Sequence, residues 1–157
     1  MADMTKITVR PATMEPQDLA QLIAMGAEMH QTSNFQDMRF DRRQFAEFVV
    51  ELIAGADHQV FLAERVGRIV GALLASVVKS YIGPDLVAHE HALFVRPEGR
   101  GSVAALRLLH AYRDWATERG ARRISAGNSA GMDDEKYVKL LSHAGFQRAG
   151  SITYQYV

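Results

Sequence analysis

The chain of 157 residues is 48% hydrophobic, and its 18 basic and 18 acidic side chains leave no net charge. That is enough apolar material for one domain with a real core, and it lacks the basic excess that a polyanion demands, so no nucleic acid partner is expected. With no cysteine there is no disulfide framework, thiolate zinc site or thiol nucleophile; a covalent enzyme thioester is excluded and no metal is expected. Met1 to Arg10 has no apolar signal core, and nowhere do eighteen uncharged apolar residues run together. The expectation is a cytoplasmic protein without membrane contact.

Ile7 to Pro11 alternates and stops at proline, a short first strand. Pro16 suits the first position of a helix, with Leu19, Leu22, Ile23, Gly26 and Met29 as its apolar stripe to about His30. Residues 31–40 are polar and aperiodic, a loop. Asp41, with Gln44 three residues later, caps a second helix over 42–54 that Gly55 ends. Its Phe45 and Phe48, with Phe35 and Phe40 before it, are read mainly as core. Residues 58–64 and 69–79 are strands joined by the hairpin Arg65-Val66-Gly67-Arg68, and Val87 to Val95 is the next strand.

Arg96-Pro97-Glu98-Gly99 breaks that strand, and from Ser102 the period changes to that of a helix, with Ala105, Leu108, Leu109, Tyr112, Trp115 and Ala116 on one side. Gly120 stops it. Residues 122–126 read as a strand, 127–131 as a loop, and Asp133 caps a helix to about Ala144 whose stripe is Tyr137, Leu140 and Leu141. Ile152 to Val157 reads as a last strand. No linker or repeat interrupts this order, so residues 1–157 form one domain. At its centre a strand, a basic turn with two glycines and a helix follow one another. Free N–H groups and the positive end of the helix dipole converge just after Arg100, which suits a phosphate.

Leu93-x-Val95-x-Pro97-x-x-Arg100-Gly101 before a helix resembles motif A of the GCN5-related N-acetyltransferase (GNAT) family. The family's Q/R-x-x-G-x-G/A falls on Arg100-Gly101-Ser102-Val103-Ala104-Ala105, where Arg100 and Ala105 fit and Val103 stands at the usual first glycine. Ile7, Arg10 and Ala12 match the family's opening I-x-x-R-x-A, and Ala144-Gly145-Phe146 is similar to the "GF" that ends its motif B. The resemblance implies an α/β domain of the GNAT acyl-CoA N-acyltransferase type, a mixed, mostly antiparallel central sheet flanked by helices. It implies acetyl-CoA as acyl donor, a small-molecule or peptide amine as acceptor, and allows a homodimer. It places Arg100, Gly101, Ser102, Val103, Ala104 and Ala105 at the pyrophosphate, and Leu93, Phe94 and Val95 along the donor, with a main-chain N–H near Phe94 or Val95 for the oxyanion. Asn128, beside the channel, suits either the pantetheine arm or a turn.

Direct acetyl transfer to an amine needs a proton taken from the ammonium, an oxyanion held, and a thiolate protonated. His89 and His91, two apart on a strand, face the same way with intrinsic pKa values of about 6.5, and are the candidate base, the alternative being that one or both fill space or bond a neighbour. The run His89-Glu90-His91-Ala92-Leu93-Phe94-Val95 is also similar to the H-x-H-A-L-x-V of arylalkylamine N-acetyltransferases, whose two histidines act as a water-linked base. Glu90 is expected on the opposite face, in solvent or an ion pair. The family's acid is a tyrosine four residues before the "GF" glycine, here Leu141; Tyr137, one turn earlier on the same face, is read first as a packing residue and is the catalytic candidate where the helix is displaced or extended, with water or the histidine pair as the other proton source. Val103 and Leu141 keep open an acyl-CoA-binding module with reduced catalysis, or an interaction domain on the same fold.

Overall fold

The structure, a computed structural model, describes residues 6–131 and 133–157; Met1 to Thr5 of the stretch read for a targeting signal, and Met132, lie outside it. Strands β1 (Ile7–Pro11), β2 (His58–Arg65), β3 (Arg68–Lys79), β4 (Leu86–Val95) and β5 (Ala121–Ser125) form one sheet in that order. Neighbours are antiparallel except β4 and β5, which run parallel. Helices α1 (Pro16–Thr32) and α2 (Arg42–Ala54) cover one face, and α3 (Ala104–Glu118) and α4 (Asp134–His143) the other.

Strand alternation divides the core in two. Leu73, Ala75, Val77 and Ala88 meet Leu108, Leu109, Tyr112 and Ala116 of α3, while Val60, Leu62, Ala72, Leu74 and Phe94 meet Leu22 and Met25 of α1 and Val49 and Leu52 of α2. The stripe of α3 begins on fully buried Ala104, one residue before the expected Ala105. Burying a Leu or Val side chain stabilises by about 1.5–3 kcal/mol, so these two layers supply most of the drive to fold. Gly26 lets the helices approach: a Cβ there would stand 2.2 Å from the Phe45 ring. Asp18, 4% exposed, is held by two 2.8 Å bonds from Arg10 and by Thr13, and its carboxyl is lowered to about 2 chiefly by the Arg10 hydrogen bond.

Three local features could not be read in advance. In the β2–β3 hairpin both loop residues have positive φ, Val66 at 51° and Gly67 at 72°; this fits a type I′ turn, with a β-branched residue where asparagine would be at ease. In the β3–β4 ladder Ala75 pairs with Glu90 and Leu74 with Ala92, so His91 is an extra, bulged residue. Beyond it Leu93 and Val95 pack on the α3 side, whereas Phe94 lies on the α1–α2 side. The expected last strand is not formed: residues 152–157 are all exposed and irregular. Strand-forming side chains hold no ladder without a neighbour's backbone groups, and β5 pairs only with β4.

Candidate active site

β4 and β5 pair from Leu86↔Ala121 to His89↔Ser125, and there their ladder ends. From Glu90 onward the two strands part, leaving a wedge bounded by β4 on one side and the β5–α4 loop on the other. Each face of this wedge carries titratable groups.

On the α3–α4 face lies Glu90. It faces away from the two histidines, as expected, but it is half-buried, and among the described residues no cation pairs with it. Its Oε2 accepts from the Gly127 N–H at 3.2 Å and the Tyr137 hydroxyl at 3.4 Å, bridging from β4 to the loop after β5 and to α4. Burial without a positive partner raises the carboxyl to about 7, against the smaller opposing effect of the two hydrogen bonds. Burial, with the nearby Glu90 charge, also pushes the Tyr137 phenol upward. Tyr137 is therefore a polar group of the wedge and not only a packing ring, while Leu141 packs against the core. Sequence reasoning missed Glu90. The available signal was an acidic residue at a strand position whose cross-strand partner, Ala75, cannot neutralise it.

On the α1–α2 face lie His89 and His91, both exposed. His89 Nδ1 stands 3.0 Å from Ser125 Oγ, and Ser125 gives its hydroxyl proton to Ala88 O at 3.1 Å. Nδ1 of His89 is thus the donor, which leaves its Nε2 with the free lone pair. His91 Nε2 is 2.6 Å from Ser76 Oγ, and its ring meets the edge of Phe48 at 5.7 Å. Partial desolvation of its ring, which has one side in solvent and the other against Ser76 and Phe48, comes first, and with the nearby His58 and His89 it holds His91 below the usual histidine range. The two histidines share a face but not a partner.

Past the end of β4 the chain makes a short 3-10 turn (Pro97–Gly99) and enters α3 at Ala104 with Val103 as an uncapped N-cap. Gly101 takes φ 73° here, opening the turn. The Ser102 hydroxyl is engaged inside the turn, giving its proton to Gly99 O and accepting from the Ala104 N–H at 3.2 Å. Arg100 is exposed, with one bond to Val95 O at 3.1 Å, so its remaining N–H groups can meet a phosphate. Arg96 cannot. It is clamped by both oxygens of Glu28 at 3.0 Å, by Gln21 at 2.7 Å and by Ile69 O at 3.1 Å. Exposed Val103 stands beside this helix start. With the Ser102 and Ala104 N–H groups turned to Gly99 O and Ser102 Oγ, the main-chain N–H groups of Gly101, Val103 and Ala105 are the ones at this helix start that fit a diphosphate. Asn128 Nδ2 bonds Asp134 Oδ1 at 3.2 Å, tying the β5–α4 loop to the start of α4. Among the described residues no cluster of three His, Asp or Glu side chains could hold a metal ion, and no helix is long and apolar enough to cross a membrane.

Comparison with known proteins bears on this arrangement. The aminoglycoside N-acetyltransferase AAC(6')-Iy, solved with the bisubstrate analogue CoA-S-monomethyl-acetylneamine, is similar over 97% of this chain and 98% of that one, at 17% identity and a TM-score of 0.75. The aminoglycoside acetyltransferase meta-AAC0020 from an uncultured soil metagenomic sample, solved with sisomicin, is similar over 96% and 95%, at 18% identity and a TM-score of 0.72. A transcriptional regulator from Bacillus halodurans shares the fold over 97% and 100%, at 17% identity and a TM-score of 0.75. No curated protein sequence matches significantly. The model of the acetyltransferase (GNAT) family matches residues 22–146, from α1 past the whole of the wedge to Phe146, and the chain belongs to that family.

Proposed function

We propose that the protein is an N-acetyltransferase that moves an acetyl group from acetyl-CoA directly to a primary amine within a ternary complex. The observation that carries this reading is the wedge between β4 and β5 with oppositely perturbed groups on its two faces: Glu90 raised to about 7, and His91 held below its ordinary value. Acid and base roles are assigned where environments push two pKa values apart. Acetyl-CoA would be held by Arg100 and the main chain of Gly101 to Ala105, and it supplies the acyl thioester. His91, neutral at pH 7 and with His89 beside it, takes the amine's proton on the α1–α2 side. Tyr137 keeps its phenolic proton and gives it toward the departing sulfur on the α4 side, and the Glu90 carboxyl, close to half-protonated at neutral pH, replaces it.

The test is thiol release from acetyl-CoA across a panel of primary amines, with acetyl-CoA binding measured by calorimetry. Turnover with at least one amine, a maximal rate lowered on the order of 10²-fold in Tyr137→Phe and unchanged acetyl-CoA affinity support the reading. Acetyl-CoA binding without amine-dependent thiol release would instead leave a catalytically reduced acyl-CoA-binding module. No binding at millimolar concentration would leave the fold without the function.

A further inference from the structure

Behind His91 runs a line of hydrogen bonds that neither the motif nor the wedge accounts for. Ser76, in the middle of β3 and 3% exposed, lies between two imidazoles: His91 Nε2 at 2.6 Å and His58 Nδ1, on β2, at 2.7 Å. Three adjacent strands contribute one residue each. The register makes His58 and Ser76 direct cross-strand partners, and the bulge at His91 turns its ring toward the same hydroxyl. Gly55 makes the room for His58, since a Cβ there would stand 2.3 Å from the His58 ring.

A serine hydroxyl has one proton. Bonded to two imidazole nitrogens, it donates to one and accepts from the other, so the tautomers of His58 and His91 are locked together. We propose that His58–Ser76–His91 is a proton outlet that drains the amine's proton from the acceptor site to solvent at β2, an inference that rests on the role given to His91 above. The step balances as follows. The amine's N–H bond breaks as N–H forms at His91 Nδ1; His91 Nε2–H then breaks as O–H forms at Ser76, and the original Ser76 O–H breaks as N–H forms at His58 Nδ1. His58 Nε2 releases its proton to water. One proton enters and one leaves, and the line is left with reversed polarity; it resets as the Ser76 hydroxyl turns back and each imidazole, swung off Ser76, trades one proton for another with water and returns to its first tautomer, so the net transfer stands. Other charged or titratable groups around this line are His89 on β4 and the Asp57–Arg119 pair next to His58 in the chain, and α2 packs the Phe48 ring against His91. His58 and Ser76 are positioning and relay residues, as neither touches the reacting atoms.

The experiment compares Ser76→Ala, His58→Gln and His91→Gln in amine-dependent thiol release over pH 5.5–9, each at low and high concentration of a small imidazole buffer, with acetyl-CoA affinity measured in parallel. The expected result is a fall in maximal rate on the order of 10- to 100-fold near pH 6.5–7 in both Ser76→Ala and His58→Gln, recovered by concentrated imidazole, while the wild type ignores buffer concentration and all affinities stay unchanged. A packing defect alone would not be cured by buffer. If His91→Gln is slow while Ser76→Ala and His58→Gln keep the wild-type rate and pH profile, the outlet is wrong and His91 remains the base. If His91→Gln itself turns over like wild type, the base assignment and the outlet fall together. Should Ser76→Ala fold poorly, the half-buried His58 still decides.

Discussion

Glu90 offers a test of the site that does not need a substrate. Its carboxyl is raised from 4.5 to about 7 in the folded protein, mainly by burial. A folded pKa above the unfolded one means the folded state binds the extra proton, so the associated stability is fully present below pH 4.5 and is lost as pH rises through 7. The shift corresponds to about 3 kcal/mol at high pH, of which some 2–3 kcal/mol is lost between pH 5 and 8.5. Glu90→Gln removes the titration while keeping an oxygen to accept from Gly127 and an amide to face Tyr137. The variant should therefore gain on the wild type as pH rises, by about 5–10 °C in Tm between pH 5 and 8.5 for a domain of this size. Thermal unfolding followed by circular dichroism at the two pH values, without acetyl-CoA, measures it. A Tm difference between variant and wild type that is the same at both pH values would refute the argument that Glu90 is held unpaired and desolvated.

Arg100→Glu would set an anion against the phosphates and should weaken acetyl-CoA binding by about 1–3 kcal/mol in calorimetry, with little change in Tm because the side chain is exposed; unchanged affinity would remove the turn from the donor site. Val66→Asn relieves a β-branched residue at φ 51° and should stabilise by about 1 kcal/mol, read as a higher midpoint in urea. Asp18→Asn should cost about 2–4 kcal/mol by leaving Arg10 with Glu64 alone. Because Asp18 is depressed from 3.8 to about 2, the wild-type advantage is present above pH 3.8 and is lost as pH falls through about 2, so denaturation at pH 5 and pH 2 should show the gap narrowing.

The order of elements was legible because each carries its own period and punctuation: Pro16 opening α1, Asp41 accepting from the Gln44 N–H at 2.9 Å, Gly120 and Gly145 at positive φ just past α3 and α4. The strand–turn–helix at residues 93–105 was legible for the same reason. What escaped were facts about neighbours across the sheet. Glu90 looked like any acidic residue on a half-exposed strand until α4 and Gly127 enclosed it. His58 and Ser76 are eighteen residues apart, and nothing local marks them as partners of His91. Arg96 belongs to the same basic turn as Arg100, and only the approach of α1 commits it to Glu28. Residues 152–157 have strand composition, yet a strand is a property of a pair.

The bulge at position 91 also bears on how such a site can change over time. Glu90 and Ala92 already sit opposite adjacent residues of β3, Ala75 and Leu74. Excising His91 would close the ladder into a regular one with Glu90 still toward α4, Phe94 still among the α1–α2 residues and Leu93 and Val95 still toward α3. A single deletion in a half-buried strand normally turns every later side chain inside out. Here the strand carries a spare residue, and it is the one proposed above to take the amine's proton. Chemistry at that position can be gained, exchanged or discarded in one step while both cores keep their register, a latitude that a fold hosting many acceptors would exploit.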